Sequence, residues 1–139
     1  MVVAHCVVSH AMSRIDATAI ADAISASVGQ ATKALEGNNT DWQAVLTEEQ
    51  RELFAGFLAL FRELLNVKGD EEERDEVFRR MVLAHGYLRL STSVALFENR
   101  DESAEENLKI VDTAVQDIGY AISPPKRSLR ERLGGLFRR

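Results

Sequence analysis

His85 is the residue of this chain best placed to do chemistry, since it is the one histidine within a helical stretch, between Ala84 and Gly86 and beside two apolar rows. An imidazole so placed could ligate a haem iron axially. No second histidine stands where a distal partner would be needed, so His85 is expected to be a hydrogen-bonded side chain at the edge of the core. Trp42 and Tyr87 are the aromatics that could line a pocket with it. A candidate ligand site of His85, Trp42 and Tyr87 makes a helical ligand- or haem-binding sensor the alternative reading of the chain. No cofactor is assigned.

His5, Cys6 and His10 form the other cluster with ligand chemistry, and Cys6 and His10 would share a face if that segment were helical. With no second ligand pair elsewhere, no metal is assigned. A di-iron site would need Glu-x-x-His pairs on facing helices, and Val82 stands three residues before His85. There is no G-x-S-x-G, phosphate-cradling glycine loop, Cys-x-x-Cys or His-Glu-x-x-His, and the carboxylates cluster at helix starts and on polar faces. A non-enzymatic chain is the expectation.

The elements that would position these residues are helices. Thr47-Glu48-Glu49-Gln50 is a capping box, and the helix it opens carries Leu53, Phe54, Phe57, Leu58, Leu60, Phe61, Leu64 and Leu65 on one broad face. After the turn at Val67-Lys68-Gly69-Asp70, the acidic run Asp70 to Glu73 suits a helix N-terminus, and Asp75/Arg79 and Glu76/Arg80 have ion-pair spacing. This return helix has two apolar rows. One runs through Val77, Met81, Ala84, Leu88, Ser91 and Ala95; the other, through Leu83, Tyr87, Leu90, Val94 and Phe97, is the predicted oligomer interface. So much apolar circumference exceeds what the outside of a monomeric bundle carries, so either the helix is central or a second chain covers it.

Upstream, Ser13-Arg14-Ile15-Asp16 reads as a cap opening a helix that stops at Gly37, with a seam of Ala17, Ile20, Ile24, Ser27/Val28, Ala31 and Leu35. Thr40-Asp41-Trp42-Gln43 caps a short turn ending near Leu46, with Trp42 lying over one end of the bundle. Ser103 to Glu106 caps a last helix whose seam is Leu108, Val111, Val115, Ile118 and Ile122, ended by Pro124. The expectation is all-α: an antiparallel four-helix bundle with a short extra helical turn near 41–46 and a short C-terminal amphipathic segment. The third long helix, at about 42 Å, should break or kink near Gly86 or Ser91-Thr92-Ser93.

The chain divides into an N-terminal stub (1–12), the bundle (13–122), and a Pro-Pro linker with a basic tail (123–139). Met12-Ser13-Arg14 reads as a start running into a cap, so residues 1–11 are expected to be an extension ahead of the native start. One cysteine among 139 residues rules out an intrachain disulfide. It suits a reducing compartment and, with no membrane-spanning run or secretion signal read, a cytoplasmic location.

Charge is segregated: residues 1–125 hold 11 Lys/Arg against 21 Asp/Glu, a net −10, and residues 126–139 hold six Lys/Arg against one Glu, a net +5. The acidic body argues against nucleic acid. In the tail, Arg127, Leu129, Arg130, Arg132, Leu133, Leu136, Phe137 and Arg138 combine apolar anchors with flanking cations, the pattern of a segment docking an acidic groove on a protein partner. An anionic membrane surface is a second target and nucleic-acid phosphate a third, which would leave Leu129, Leu133 and Phe137 idle; folding back on the chain's own acidic body competes with all three. The leading reading is a homo-oligomeric assembly module, most simply a dimer, whose tail engages a protein partner. A peripheral membrane adaptor stands third, behind the sensor.

Overall fold

Side-chain caps decide where each helix begins. The structure, a computed structural model, describes residues 16–122. The stub with His5, Cys6 and His10, and the linker and tail carrying every predicted partner-binding residue, lie outside the described residues. Helix α1 (Ala17–Gly37) starts one residue after Asp16, whose extended backbone lets its carboxylate accept from Ala19 N–H at 3.0 Å. Asp16 is thus the cap itself, where the sequence suggested a box opening at Ser13. Asp fills that position as well as Ser.

Gly37 stays helical, and Asn39 takes the left-handed position with φ 57°. Asn39 N–H donates to Glu36 O and Thr40 N–H to Leu35 O, a Schellman closure. Helix α2 (Trp42–Val45) is capped by Asp41, one residue later than the expected cap at Thr40. Helix α3 (Glu48–Asn66) has the expected reciprocal box: Thr47 Oγ1 accepts from Gln50 N–H and Gln50 Oε1 from Thr47 N–H.

Helix α4 (Glu71–Glu98) starts on an Asp70 cap, and α5 (Glu102–Ile122) starts beside Asp101. Asp101, not Ser103, is the acceptor there. Ser103 donates its O–H and its N–H to that carboxylate, which holds Asp101 below the usual carboxylate range. The 28 residues of α4 run without interruption through Gly86 and Ser91-Thr92-Ser93, against the expected break. The described residues are all-α, with no strand. No described helix is long and apolar enough to cross a membrane.

Three seams join the helices: α3 on α4, α4 on α5, and α5 on α1. The bond from Gln50 to Ser91 and the ion pair between Glu63 and Arg80 set α3 and α4 antiparallel. Those from Thr92 to Asp112 and from His85 to Val115 do the same for α4 and α5. Phe57, Met81, Leu88, Val115 and Ile118 fill the centre at no more than 1 % exposure. Along α1 the expected seam holds at Ile20, Ile24, Ser27, Ala31 and Leu35, while on α3 Leu65 departs from the buried face and is half-exposed. Arg79 pairs with Glu76 and Arg80 reaches Glu63 on α3, in place of the expected Asp75/Arg79 and Glu76/Arg80 pairs. These pairs are exposed and contribute little.

Candidate functional site

Helix α4 has two apolar sides. Val77, Met81, His85, Leu88 and Thr92 face inward and are buried. Leu83, Tyr87, Leu90, Val94 and Phe97, the predicted interface row, are 62, 61, 62, 42 and 82 % exposed. At about 100° per residue the two sets point in roughly opposite directions, because the buried set runs through His85 and Thr92 where the expected row ran through Ala84, Ser91 and Ala95. The outer five recur at alternating four- and three-residue steps, the spacing of a two-helix seam. They present on the order of 500 Å² of apolar surface, at the upper end of what monomers tolerate as one patch.

His85 belongs to the inner set, at 7 % exposure. Its ring lies 5.8 Å from that of Phe57, and its Nε2 is 2.7 Å from Val115 O on α5. A carbonyl can only accept, so Nε2 carries the hydrogen and donates. Burial pushes the imidazole pKa below 6.5; the bond to Val115 opposes this and the nearby Arg89 charge adds to it. The ring fits because Gly119 has no side chain: a Cβ there would stand 2.5 Å from His85 Cε1. His85 is therefore a neutral interhelical donor with its Nε2 committed.

About two turns further along α4, the residues expected to weaken the helix form its polar junction. Gln50 of α3, 3 % exposed, donates from Nε2 to Ser91 Oγ at 3.1 Å. On the other side Asp112 of α5, 7 % exposed, accepts from Thr92 Oγ1 and Ser93 Oγ at 3.0 Å each, and Gln116 Nε2 donates to its second oxygen. Every buried side-chain nitrogen and oxygen among the described residues has a partner. The junction holds helices together, and no group in it is left over for chemistry. No described cluster of three His, Cys, Asp or Glu could hold a metal ion.

Trp42 sits elsewhere. Its Nε1–H donates to Thr32 Oγ1 at 2.8 Å and its ring meets Phe54 edge-on at 5.6 Å. There it walls an apolar groove of about 330 Å³ between α1 and α3, with Val28 and Thr32 on one side and Phe54 and Leu58 on the other. The candidate site of His85, Trp42 and Tyr87 is therefore not assembled: His85 faces α5, Tyr87 faces solvent, and neither lines this groove.

No family model matches the chain, and no curated protein or solved structure is significantly similar to it.

Sequence reasoning missed Asp112, Gly119 and the groove. An acid inside the apolar seam Val111–Val115 was the available signal for Asp112, because a carboxylate there requires donors from a facing helix. Gly119 carried a weaker one, a glycine inside a strongly periodic helix.

Proposed function

We propose that the chain is a non-enzymatic assembly module that self-associates through the outer face of α4. The observation that carries this reading is the row Leu83, Tyr87, Leu90, Val94 and Phe97, five large apolar side chains exposed along one helix. A second copy of the chain is the occupant it fits. The spacing is self-complementary, and the residues flanking the row, Ala84, Gly86, Ser91 and Ser93, are small enough for a second helix to approach closely. Charge favours it as well. The chain carries a net −5, yet between Leu83 and Phe97 the only charged side chain is Arg89, so two copies meet there without repulsion. Paired, two such faces bury on the order of 1,000 Å², the lower bound for a specific interface. Within this reading the basic segment Arg127 to Arg138 is the contact for an acidic protein partner, and the assembly is a cytoplasmic one.

Sedimentation of the full-length protein from about 1 to about 200 µM tests the proposal. We expect a monomer–dimer equilibrium in this range. Leu83→Lys combined with Leu90→Lys should raise the dissociation constant more than about a hundredfold, because each places a charge in the contact. Helix content by circular dichroism should not change, since both side chains lie outside the core. A wild-type chain that remains monomeric throughout, or a double variant that still dimerises, overturns the proposal.

A further inference from the structure

Among the described residues the seam between α1 and α3 is open. These helices make no backbone packing comparable to the other three seams, and the groove between them is walled almost wholly by carbon. Its polar groups are few and placed. Trp42 Nε1–H is spent on Thr32. Among the described residues Arg51 is the only charged one in the lining, and its Nη1 donates to Gln43 O at 2.8 Å and Leu46 O at 3.1 Å, which pins the guanidinium beside the C-terminal end of α2. Three of its five N–H donors are not used in those bonds. Among the described residues no carboxylate lies within ion-pair distance of it.

We propose that this groove binds a monoanionic amphiphile, a medium-chain carboxylate, with its alkyl chain along Trp42, Phe54 and Leu58 and its head group on Arg51. Size guides the choice of probe: an open groove of about 330 Å³ matches a chain of roughly ten carbons at about 30 Å³ per heavy atom. A planar guanidinium already fixed by two carbonyls offers its remaining edge to a carboxylate at small entropic cost. An uncharged chain gains only the apolar wall. The site is separate from the outer face of α4, so it stands or falls independently of self-association.

Trp42 is the single tryptophan of the chain, so its emission reports on this groove alone. We expect decanoate, titrated below its micelle concentration into full-length protein, to give a saturable change in Trp42 emission with a dissociation constant on the order of 0.1 mM. 1-Decanol should bind about tenfold more weakly. Arg51→Gln should bring decanoate down to the affinity of decanol and leave decanol unchanged, whereas Arg51→Lys should retain part of the preference. Ala55→Leu, on the exposed side of α3 within the groove, should abolish both. The proposal is overturned by the absence of a saturable response, by equal affinity for decanoate and decanol, or by a preference that Arg51→Gln and Arg51→Lys leave intact. It is also overturned if ligand-free emission shifts with protein concentration, which would assign the groove to a second copy.

Discussion

The inner and outer faces of α4 differ less in what they are made of than in what meets them. Inside, Val77, Met81 and Leu88 are covered by neighbouring helices, and His85 and Thr92 reach polar groups on α5. Outside, Leu83, Tyr87, Leu90, Val94 and Phe97 have equal or greater apolar bulk, yet the described residues leave them largely exposed. Buried polar groups at defined positions mark the inner seam as one whose partner is already in place, because each needs a donor or acceptor at a fixed point. The outer row has no such polar groups. It fits a partner that supplies area and shape, as a repeated copy of the same row does.

Truncating one leucine on each side breaks this contrast most sharply. Leu88→Ala, at a position 1 % exposed, should lower the unfolding free energy by about 2–5 kcal/mol in urea denaturation. Leu90→Ala, 62 % exposed, should leave monomer stability within about 0.5 kcal/mol and act on the dissociation constant instead. Equal losses of monomer stability would mean that the outer row is not outside.

Gly119→Ala tests how tightly the inner face is specified. Alanine gains about 1 kcal/mol over glycine in a helix interior, but its methyl would collide with His85 and cost the bond to Val115. We expect a net loss of about 1–2 kcal/mol. In a His85→Ala background the same substitution should stabilise instead. That reversal of sign, read from thermal or urea melts of the four variants, isolates the steric coupling.

Acid gives the smallest effect. The folded chain holds His85 below its ordinary 6.5, so above that pH the residue is neutral in both states and costs nothing. As pH falls from about 6.5 toward the depressed folded value, the unfolded chain takes up the proton first and stability declines. Replacing His85 with Gln should flatten the stability profile below about pH 6.5. A profile unchanged by the substitution would detach His85 from the acid response.

What the sequence made legible was local. The Thr47–Gln50 box, the inward seams of α1, α3 and α5, and the outer row of α4 all follow from spacing along one helix. The rest depended on partners far along the chain. Gln50 was read as half of a cap, and it is also the link to Ser91, 41 residues away. Ser91-Thr92-Ser93 looked like a weak point because serine and threonine compete with helical backbone bonds; with Gln50 on one side and Asp112 on the other, the same hydroxyls hold the helix in place. The supposed grouping of His85, Trp42 and Tyr87 failed for a related reason: composition tells which aromatics exist, and topology sends Trp42 to the α1–α3 seam. The two rows of α4 illustrate the limit best: periodicity finds both, but that His85 and Thr92 complete the covered one depends on their bonds to α5.

Greasy seams let helices slip past one another by a turn at modest cost; directional bonds concentrated at one height do not. With Ser91, Thr92 and Ser93 tethered left and right, sliding α4 along its axis would break directional bonds on both sides at once. Under the proposed self-association, each copy would therefore present Leu90 at the same elevation, a common ruler for pairing.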